Sequence, residues 1–421
     1  MTITIRVPAA KRSFLIFCLC LAALYFAIIS SQFVAYFSAS QPNLASLKFA
    51  LRLEPWNANY QYLLGQYYWW LQQRAEARTE LKKAVGLNPH NSFFWLNLAS
   101  VEDLLDRPED ARAAVKNAIA VGPYSPRIAV QAGNIYLNEN QTQLAFAQFR
   151  RALEGAPYLA GQIIPMCWQA QPDASELLRD ALPASSDIYS SFLEFLISQK
   201  QRAAAAMVWA QIGRLGQPVK INDVFDYVHY LIGEHRPDEA RTVWRDAGSL
   251  AGLKSYAPSQ QNLMVNGDFN LTVLNGGFDW TYEKQPGVSI ELEPSQSEVG
   301  GASLMISYDS GGLEDSGIRQ LISVSPNSTY HFSAHFKTEN LEGAGGPHFV
   351  LQDAYTGESY FQSDELVNSA TWRQVTVDFQ TGPATHLLIL RISRVPAGSA
   401  IRGKLWIGNL SLSPTGKQGG S

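Results

Sequence analysis

Cysteine is scarce in this chain: Cys18 and Cys20 share one apolar stretch and Cys167 stands alone. That usage excludes a disulfide framework and a zinc site built on thiolates. Charge is thin as well. Charged residues make up 17% of the 421, below the roughly 25% usual in soluble domains, and 33 Lys and Arg face 37 Asp and Glu. With no basic run and a net charge of -4, the electrostatic footprint of a nucleic-acid-binding protein is missing. The chain also lacks G-x-S-x-G, H-E-x-x-H, a Walker loop and a Rossmann glycine fingerprint. His331 and His335 lie four apart on one expected strand, with no third ligand beside them. Glu314 with Asp315, or Asp353 with Glu358, are the nearest approach to a hydrolytic carboxylate pair, and nothing selects them over solvated turn residues. The sequence is therefore expected to be no enzyme and to hold neither cofactor nor metal. What it has is a hydrophobic share of 46%, which excludes dominant disorder, and length for two or three domains of about 150 residues.

Ser13 to Phe37 contains no charged residue. About 20 apolar helical residues cross a bilayer core of roughly 30 Å, so this run predicts a single transmembrane helix over 13–37. Arg6, Lys11 and Arg12 precede it, which keeps residues 1–12 in the cytoplasm as a short stub. A cleaved signal peptide is the competing reading, but its apolar region is normally about 7–15 residues.

Beyond the apolar run the sequence repeats. Pro55, Pro89, Pro123 and Pro157 are spaced by 34 residues. Ala50, Ala84, Ala118 and Ala152 recur in phase, as do Leu47, Leu81, Val115 and Phe149. Ala77, Ala111 and Ala145 mark a third position, and Gly65, Ala99 and Gly133 a fourth. Small residues at fixed places let two helices approach closely, and each Pro stops the second helix. After a degenerate stretch over 158–185, the pattern resumes with Phe192, Ala205, Trp209 and Ile212, and again 35 residues later with Tyr227, Ala240, Trp244 and Ala247. Asn43 to Leu53 is a half-repeat adjoining the apolar helix.

This period and pattern resemble the tetratricopeptide (TPR) repeat, which implies an α-solenoid over 43–252 with a protein-binding groove lined by the first helix of each pair. Carried onto this sequence, the groove positions are Asn59, Tyr62, Gln66 and Trp69; Phe93, Leu96, Ser100 and Asp103; and Arg127, Val130, Asn134 and Leu137. A single basic residue there argues against the subclass that grips C-terminal carboxylates. A mixed polar and aromatic groove suits an extended segment of a partner protein. The alternative is that its aromatic and apolar members simply pack between helices. Trp69 and Trp70, in the repeat nearest the bilayer, also suit a headgroup contact.

After a 253–261 linker the periodicity changes to short alternating runs, among them Val288 to Leu292, Ser303 to Tyr308, Thr329 to Phe336 and Arg373 to Phe379. Turn clusters such as Asn275-Gly276-Gly277, Ser310-Gly311-Gly312 and Pro326-Asn327-Ser328 separate them, predicting a β-sandwich jelly roll over 262–414. The opening Asn262 to Phe269, then Gly277 to Trp280, Thr371 to Thr376 and Lys404 to Leu412, resemble the family 4/9 carbohydrate-binding module. That family usually carries an Asp beside a structural calcium where this chain has Gly408, so calcium is not expected. Sugar binding needs aromatic faces and planar polar groups. The candidates are Tyr355, Tyr360 and Phe361 with Arg319, Gln320, Gln352 and Asp353; Trp280 and Trp372 occupy family positions that are more often core.

The expected architecture is thus multidomain, α then β: stub, anchor, TPR-type solenoid, jelly roll and a disordered tail over 415–421. The expected function is a non-catalytic scaffold of the cytoplasmic (inner) membrane, its bulk extracytoplasmic; the resemblance to single-anchor TPR proteins implies a place in cell-envelope polysaccharide assembly or export. The partners would be a protein in the groove and, on the sandwich, a polysaccharide or a second protein. The alternatives are a tethered lectin-like protein with the solenoid as a stalk, and a glycan-modifying enzyme.

Overall fold

A computed structural model of the chain describes residues 9–41, 43–294, 301–312, 315–394 and 398–415. Most of the expected stub (1–8) and nearly all of the expected tail (416–421) lie outside the described residues. The chain forms two compact units, Met1–Ala184 and Ser185–Ser421. The division falls inside the helical half, ahead of the expected 253–261 linker.

In the first unit, α1 (Ala9–Ala39) carries the apolar run, and Arg12–Ala39 is long and apolar enough to cross a membrane. Only its last turns are covered. Ala35 and Ala39 are buried in a cluster with Leu47 and Ala50 of α2 (Leu44–Leu53), and with Tyr60 and Leu64 of α3 (Ala58–Trp70). Three hairpins follow: α3 with α4 (Arg74–Leu87), α5 (Ser92–Leu104) with α6 (Pro108–Val121), and α7 (Pro126–Asn138) with α8 (Thr142–Gly155).

The repeat is visible in the backbone as well as in the side chains. First helices start at Asn57, Asn91 and Ser125, whose side-chain oxygens accept backbone N–H groups of Asn59, Phe93 and Ile128. Each inner turn passes through a left-handed residue, Gln72, Asp106 or Asn140. The next N–H (Gln73, Arg107, Gln141) then reaches the carbonyl five residues back at 2.8–3.0 Å, a Schellman closure. Ala77, Ala111 and Ala145 are fully buried five residues past the left-handed residue. A Cβ placed on Gly65 would stand 2.8 Å from Leu81 Cγ, and one on Gly133 2.5 Å from Phe149 Cε1. The second repeat has Ala99 and the smaller Val115 at those places, both fully buried. Volume is thus exchanged across the pair within one sequence. The degenerate stretch forms α9 (Ala160–Ala170), with Pro165 inside it, and α10 (Ala174–Glu176), which runs on in a π turn over Leu177–Ala181.

The second unit opens with two more hairpins, α11 (Ser186–Ser198) with α12 (Arg202–Leu215) and α13 (Ile221–Gly233) with α14 (Pro237–Leu250). Their turns repeat the same closure at left-handed Lys200 and His235, and Ala205 and Ala240 are fully buried five residues on.

The sandwich has two five-stranded antiparallel sheets. Its strands are β1 (Thr281–Tyr282), β2 (Val288–Glu293), β3 (Ser303–Gly312), β4 (Asp315–Ser323), β5 (Thr329–Gly343), β6 (Pro347–Asp353), β7 (Ser359–Gln362), β8 (Arg373–Gln380), β9 (Leu387–Arg394) and β10 (Ala400–Pro414). The orders are β1-β4-β9-β6-β7 and β2-β3-β10-β5-β8. Two strands outrun the alternating segments seen in the sequence: β3 continues through the expected turn at Gly311, and β5 to Gly343. Pairing with the 15-residue β10 draws both out.

The opening motif is structural. Asn262 Oδ1 accepts from Met264 and Leu412 N–H, Asn266 bonds both backbone groups of Leu271, and Trp280 Nε1 donates to the Asn266 carbonyl. Gly267 lies directly under the Leu410 carbonyl, where any Cβ would collide. Trp280 is fully buried in the core beside Phe269.

Candidate functional site

Two surfaces carry candidate chemistry, one in each unit. On the first helices of the first unit, Gln66 Nε2 and Asn97 Nδ2 both donate to Tyr62 OH, at 2.6 and 3.2 Å. Tyr62 stacks on Phe94 of the next hairpin at 4.7 Å, and the Arg127 guanidinium lies 5.2 Å from the Phe93 ring centre. Asn138 approaches Asp103 at 3.5 Å. Burial raises the Tyr62 pKa, although Arg127, Gln66 and Asn97 all favour its ionised form. Asn59 and Arg127 are exposed, and Trp69 is 47% exposed. Gln66, Ser100, Asp103, Asn134 and Leu137 are half-buried, leaving polar groups in reach of a ligand. Leu96 and Val130 are buried and present no such surface. Asn97, outside the expected set, is fixed between Tyr62 and the Phe93 carbonyl. Trp69 and Trp70 end α3, about 20 Å from its start at 1.5 Å per residue.

The sandwich residues expected to bind sugar are dispersed. The Tyr355 ring stacks on His235 at 4.2 Å and its hydroxyl donates to the Ile232 carbonyl at 3.0 Å, so it ties the sandwich to α13. Burial, then the nearby Asp353 charge, pushes its pKa up to about 12. Asp353 is buried and accepts the N–H groups of Tyr355 and Thr356 at 2.8 Å. Burial opposes its ionisation, but those hydrogen bonds outweigh it and hold its pKa below the usual carboxylate range. Gln320 is inside, donating to the Val265 and Phe278 carbonyls. Phe361 packs beside Phe332 in the core, and Tyr360 stacks on Phe379 with its hydroxyl bonded to Thr385 and Gly382 N–H. Arg319 and Gln352 are brought towards each other on β4 and β6, with Arg391 of the intervening β9 paired directly to Arg319. Arg319 is held by Glu283 at 2.5 Å.

A second face emerges on the other sheet. Trp406 pairs with Lys337 across β10 and β5, and Lys337 Nζ lies 4.7 Å from the Trp406 ring centre and 5.9 Å from that of Trp372. Trp372 is half-buried, outside the hydrophobic core, and its Cη2 lies 3.8 Å from where a Cβ on Gly408 would stand. His335 pairs with Gly408 on one side and Gln374 on the other. A Cβ at Gly408 would make only an ordinary contact with the indole, which lies over this position. Trp406 itself is buried, its Nε1 donating to Glu293 and its ring covered by Lys337, so the part-open aromatic face is Trp372, with Lys337, His335 and Gln374 near it. The family position of Trp372 is more often core than site; here it is half-buried outside the core, one residue before β8, a placement that depends on the register of β5, β8 and β10.

His331 and His335 share a strand face, but four residues span about 13 Å, too far to grip one ion. His331 is bonded instead to Asp378 at 2.7 Å. Among the described residues no group of three or more His, Cys, Asp or Glu could hold a metal. Glu314 lies outside the described residues, and Glu358, exposed beside buried Asp353, accepts from Tyr360.

Regular hairpins closed by one recurring turn define a helical-repeat protein, joined here to a jelly roll. Residues 58–91 match the tetratricopeptide-repeat family, TPR_8. The chain therefore carries a TPR repeat, a building block of protein-interaction scaffolds. Among solved structures, a CBM4 structure is 18% identical, with 36% of this chain and 99% of that one covered and a TM-score of 0.28. YrrB, a TPR protein with an unusual peptide-binding site, is 18% identical over 41% and 75% of the two chains, TM-score 0.25. PilF of Pseudomonas aeruginosa is 14% identical over 45% and 90%, TM-score 0.27. No curated protein matches the sequence.

Proposed function

We propose that this chain is a non-catalytic scaffold of the cytoplasmic membrane, spanning it once through α1 with its bulk extracytoplasmic, and that the first helices of its repeats hold an extended segment of a partner protein. The observation that carries this is the ordered strip of Tyr62, Gln66, Asn97, Phe93 and Arg127, polar and aromatic groups held in place by one another yet partly open to solvent. Preorganised side chains lose little freedom on binding, which favours recognition of a flexible segment. Lys and Arg before the apolar run and none until Lys48 after it support the orientation. A photo-crosslinking residue at Gln66 or Arg127 of the full chain should trap one common protein, and the same residue at Lys116 on a second helix should not. Equal trapping at all three positions would discard the groove.

The second surface supports a glycan ligand on the sandwich, in keeping with a place in envelope polysaccharide assembly or export. Here the carrying observation is the half-buried Trp372 indole beside Lys337. Full-length protein in detergent micelles should bind members of a glycan array, and Trp372→Ala should abolish that binding while Tyr360→Ala leaves it. No binding by the wild-type chain removes the glycan from the proposal and leaves the protein scaffold.

A further inference from the structure

The way α1 enters the solenoid fixes which part of the repeat array faces the bilayer. Ala35 and Ala39 of α1 are themselves part of the buried cluster with Leu47, Ala50, Tyr60 and Leu64. Consecutive helices packed together across a short turn run antiparallel, so α2 travels back along α1. Its ten residues cover about 15 Å. That brings Pro55 and Trp56 roughly level with Ser30, Ser31 and Gln32, where the unbroken apolar sequence of α1 ends.

The surface at that level is unusual for a soluble repeat. Trp56 is 70% exposed, and Phe33 and Phe49 near it are also exposed, with exposed Tyr36 and Phe37 up to about 10 Å further along α1. Lys48 and Arg52 stand exposed on α2 beside them. Glu54 is the only acidic residue before Glu76, and it is buried and bonded to Asn57 at 2.8 Å. Tyr124 and Tyr158 hold the Trp56 position of later repeats, 94% and 84% exposed, with His90 between. Trp69 and Trp70 stand at the opposite end of α3 from Trp56.

We infer that the α2–α3 edge of the solenoid, led by Trp56 and flanked by Lys48, Phe49 and Arg52, is seated in the headgroup layer of the membrane that α1 crosses. Indole and phenol rings favour that layer, and each exposed Lys or Arg near an anionic surface adds to the attraction. The inference rests on the reading of α1 as a spanning helix. It implies that the repeats lie close against the bilayer, with the ends of the first helices turned away from it.

The test is a depth measurement on the full chain in vesicles of phosphatidylcholine and phosphatidylglycerol. Cys18→Ser and Cys20→Ser remove the exposed thiols, leaving the buried Cys167. A thiol-reactive fluorophore is then placed singly through Phe26→Cys, Trp56→Cys or Trp70→Cys. Quenching by a headgroup spin-labelled lipid should be about threefold or more stronger at position 56 than at 70, while position 26 responds to an acyl-chain spin label. Equal quenching at 56 and 70, with 26 quenched from the acyl region, overturns the edge and leaves the anchor standing. No acyl-chain quenching at 26 overturns the spanning helix and the edge with it.

Discussion

Gly133→Ala should destabilise the protein although it replaces glycine inside a helix. An Ala gains about 1 kcal/mol over Gly in a helix interior by propensity alone. Against that, the new methyl would stand 2.5, 2.8 and 2.9 Å from three ring carbons of Phe149. Carbon atoms rest at about 3.5–4.0 Å, so the overlap is about 1 Å. Phe149 is fully buried and its ring is rigid, which puts the overpacking at the upper end of about 1–3 kcal/mol. The net loss is then about 1–2 kcal/mol, a fall of roughly 2–8 °C in the transition of the first unit. Phe149→Val restores the pairing already present as Ala99 with Val115. In that background Gly133→Ala should be neutral or stabilising, a coupling of about 2–3 kcal/mol. The assay is far-UV circular dichroism during heating of the full chain in micelles, for wild type, both single variants and the double. Gly86→Ala serves as the control, since nothing lies within 4 Å of its Cβ. If Gly133→Ala raises the transition as much as Gly86→Ala does, the close-packing argument fails.

The other expectations concern backbone strain, a buried charge and a buried acid. Lys200 adopts a φ of 55° that costs a side chain about 1 kcal/mol, so Lys200→Gly should raise thermal stability by about 0.5–1 kcal/mol. A decrease on melting would show that the Lys200 side chain contributes more than its backbone strain. Glu102 is buried between Arg78 at 2.8 Å and Lys82 at 3.5 Å. Arg78→Ala leaves that charge poorly paired and should cost about 2–4 kcal/mol, more than Glu102→Leu, after which Arg78 still reaches Asp110. The reverse ranking in denaturant titrations would refute the asymmetry. Burial pushes the Asp279 pKa up to about 6. The folded state thus binds a proton more tightly than the unfolded one, and stability falls as pH rises from about 4 to 6 and is flat above. Asp279→Asn should remove that slope; an unchanged profile of melting temperature against pH would place the titration elsewhere.

The helical half was legible because its physics is periodic. Left-handed turns, buried alanines and capped starts return at the same offset, and any one sequence position predicts the next. Even the irregular pair could be seen, through Pro165 and Pro172. The sandwich was legible as a fold for a different reason: Asn262, Asn266 and Gly267 act on neighbouring backbone, and such local demands leave a motif. Its surface was not. Tyr355 looked like a loop aromatic awaiting a ligand, and its partner His235 lies 120 residues earlier. Gln320 looked like an outward polar group, and the carbonyls it satisfies belong to distant loops. Trp372 and Trp406 could be assigned only once β5, β8 and β10 were in register.

The join between α13–α14 and the sandwich bears on how such a protein could be inherited or divided. Phe278 meets Trp244 edge-on at 6.0 Å, positions 276 and 277 press on Phe225 and Trp244, and Trp244 Nε1 donates to the Tyr256 carbonyl. Any Cβ at Gly277 would strike the Trp244 ring, so the sandwich loop has been trimmed to receive a helix. A gene fragment ending at the composition change near residue 261 would strip both partners of a fitted surface. The portable module, for recombination or for transplantation into another protein, is the last two hairpins together with the jelly roll.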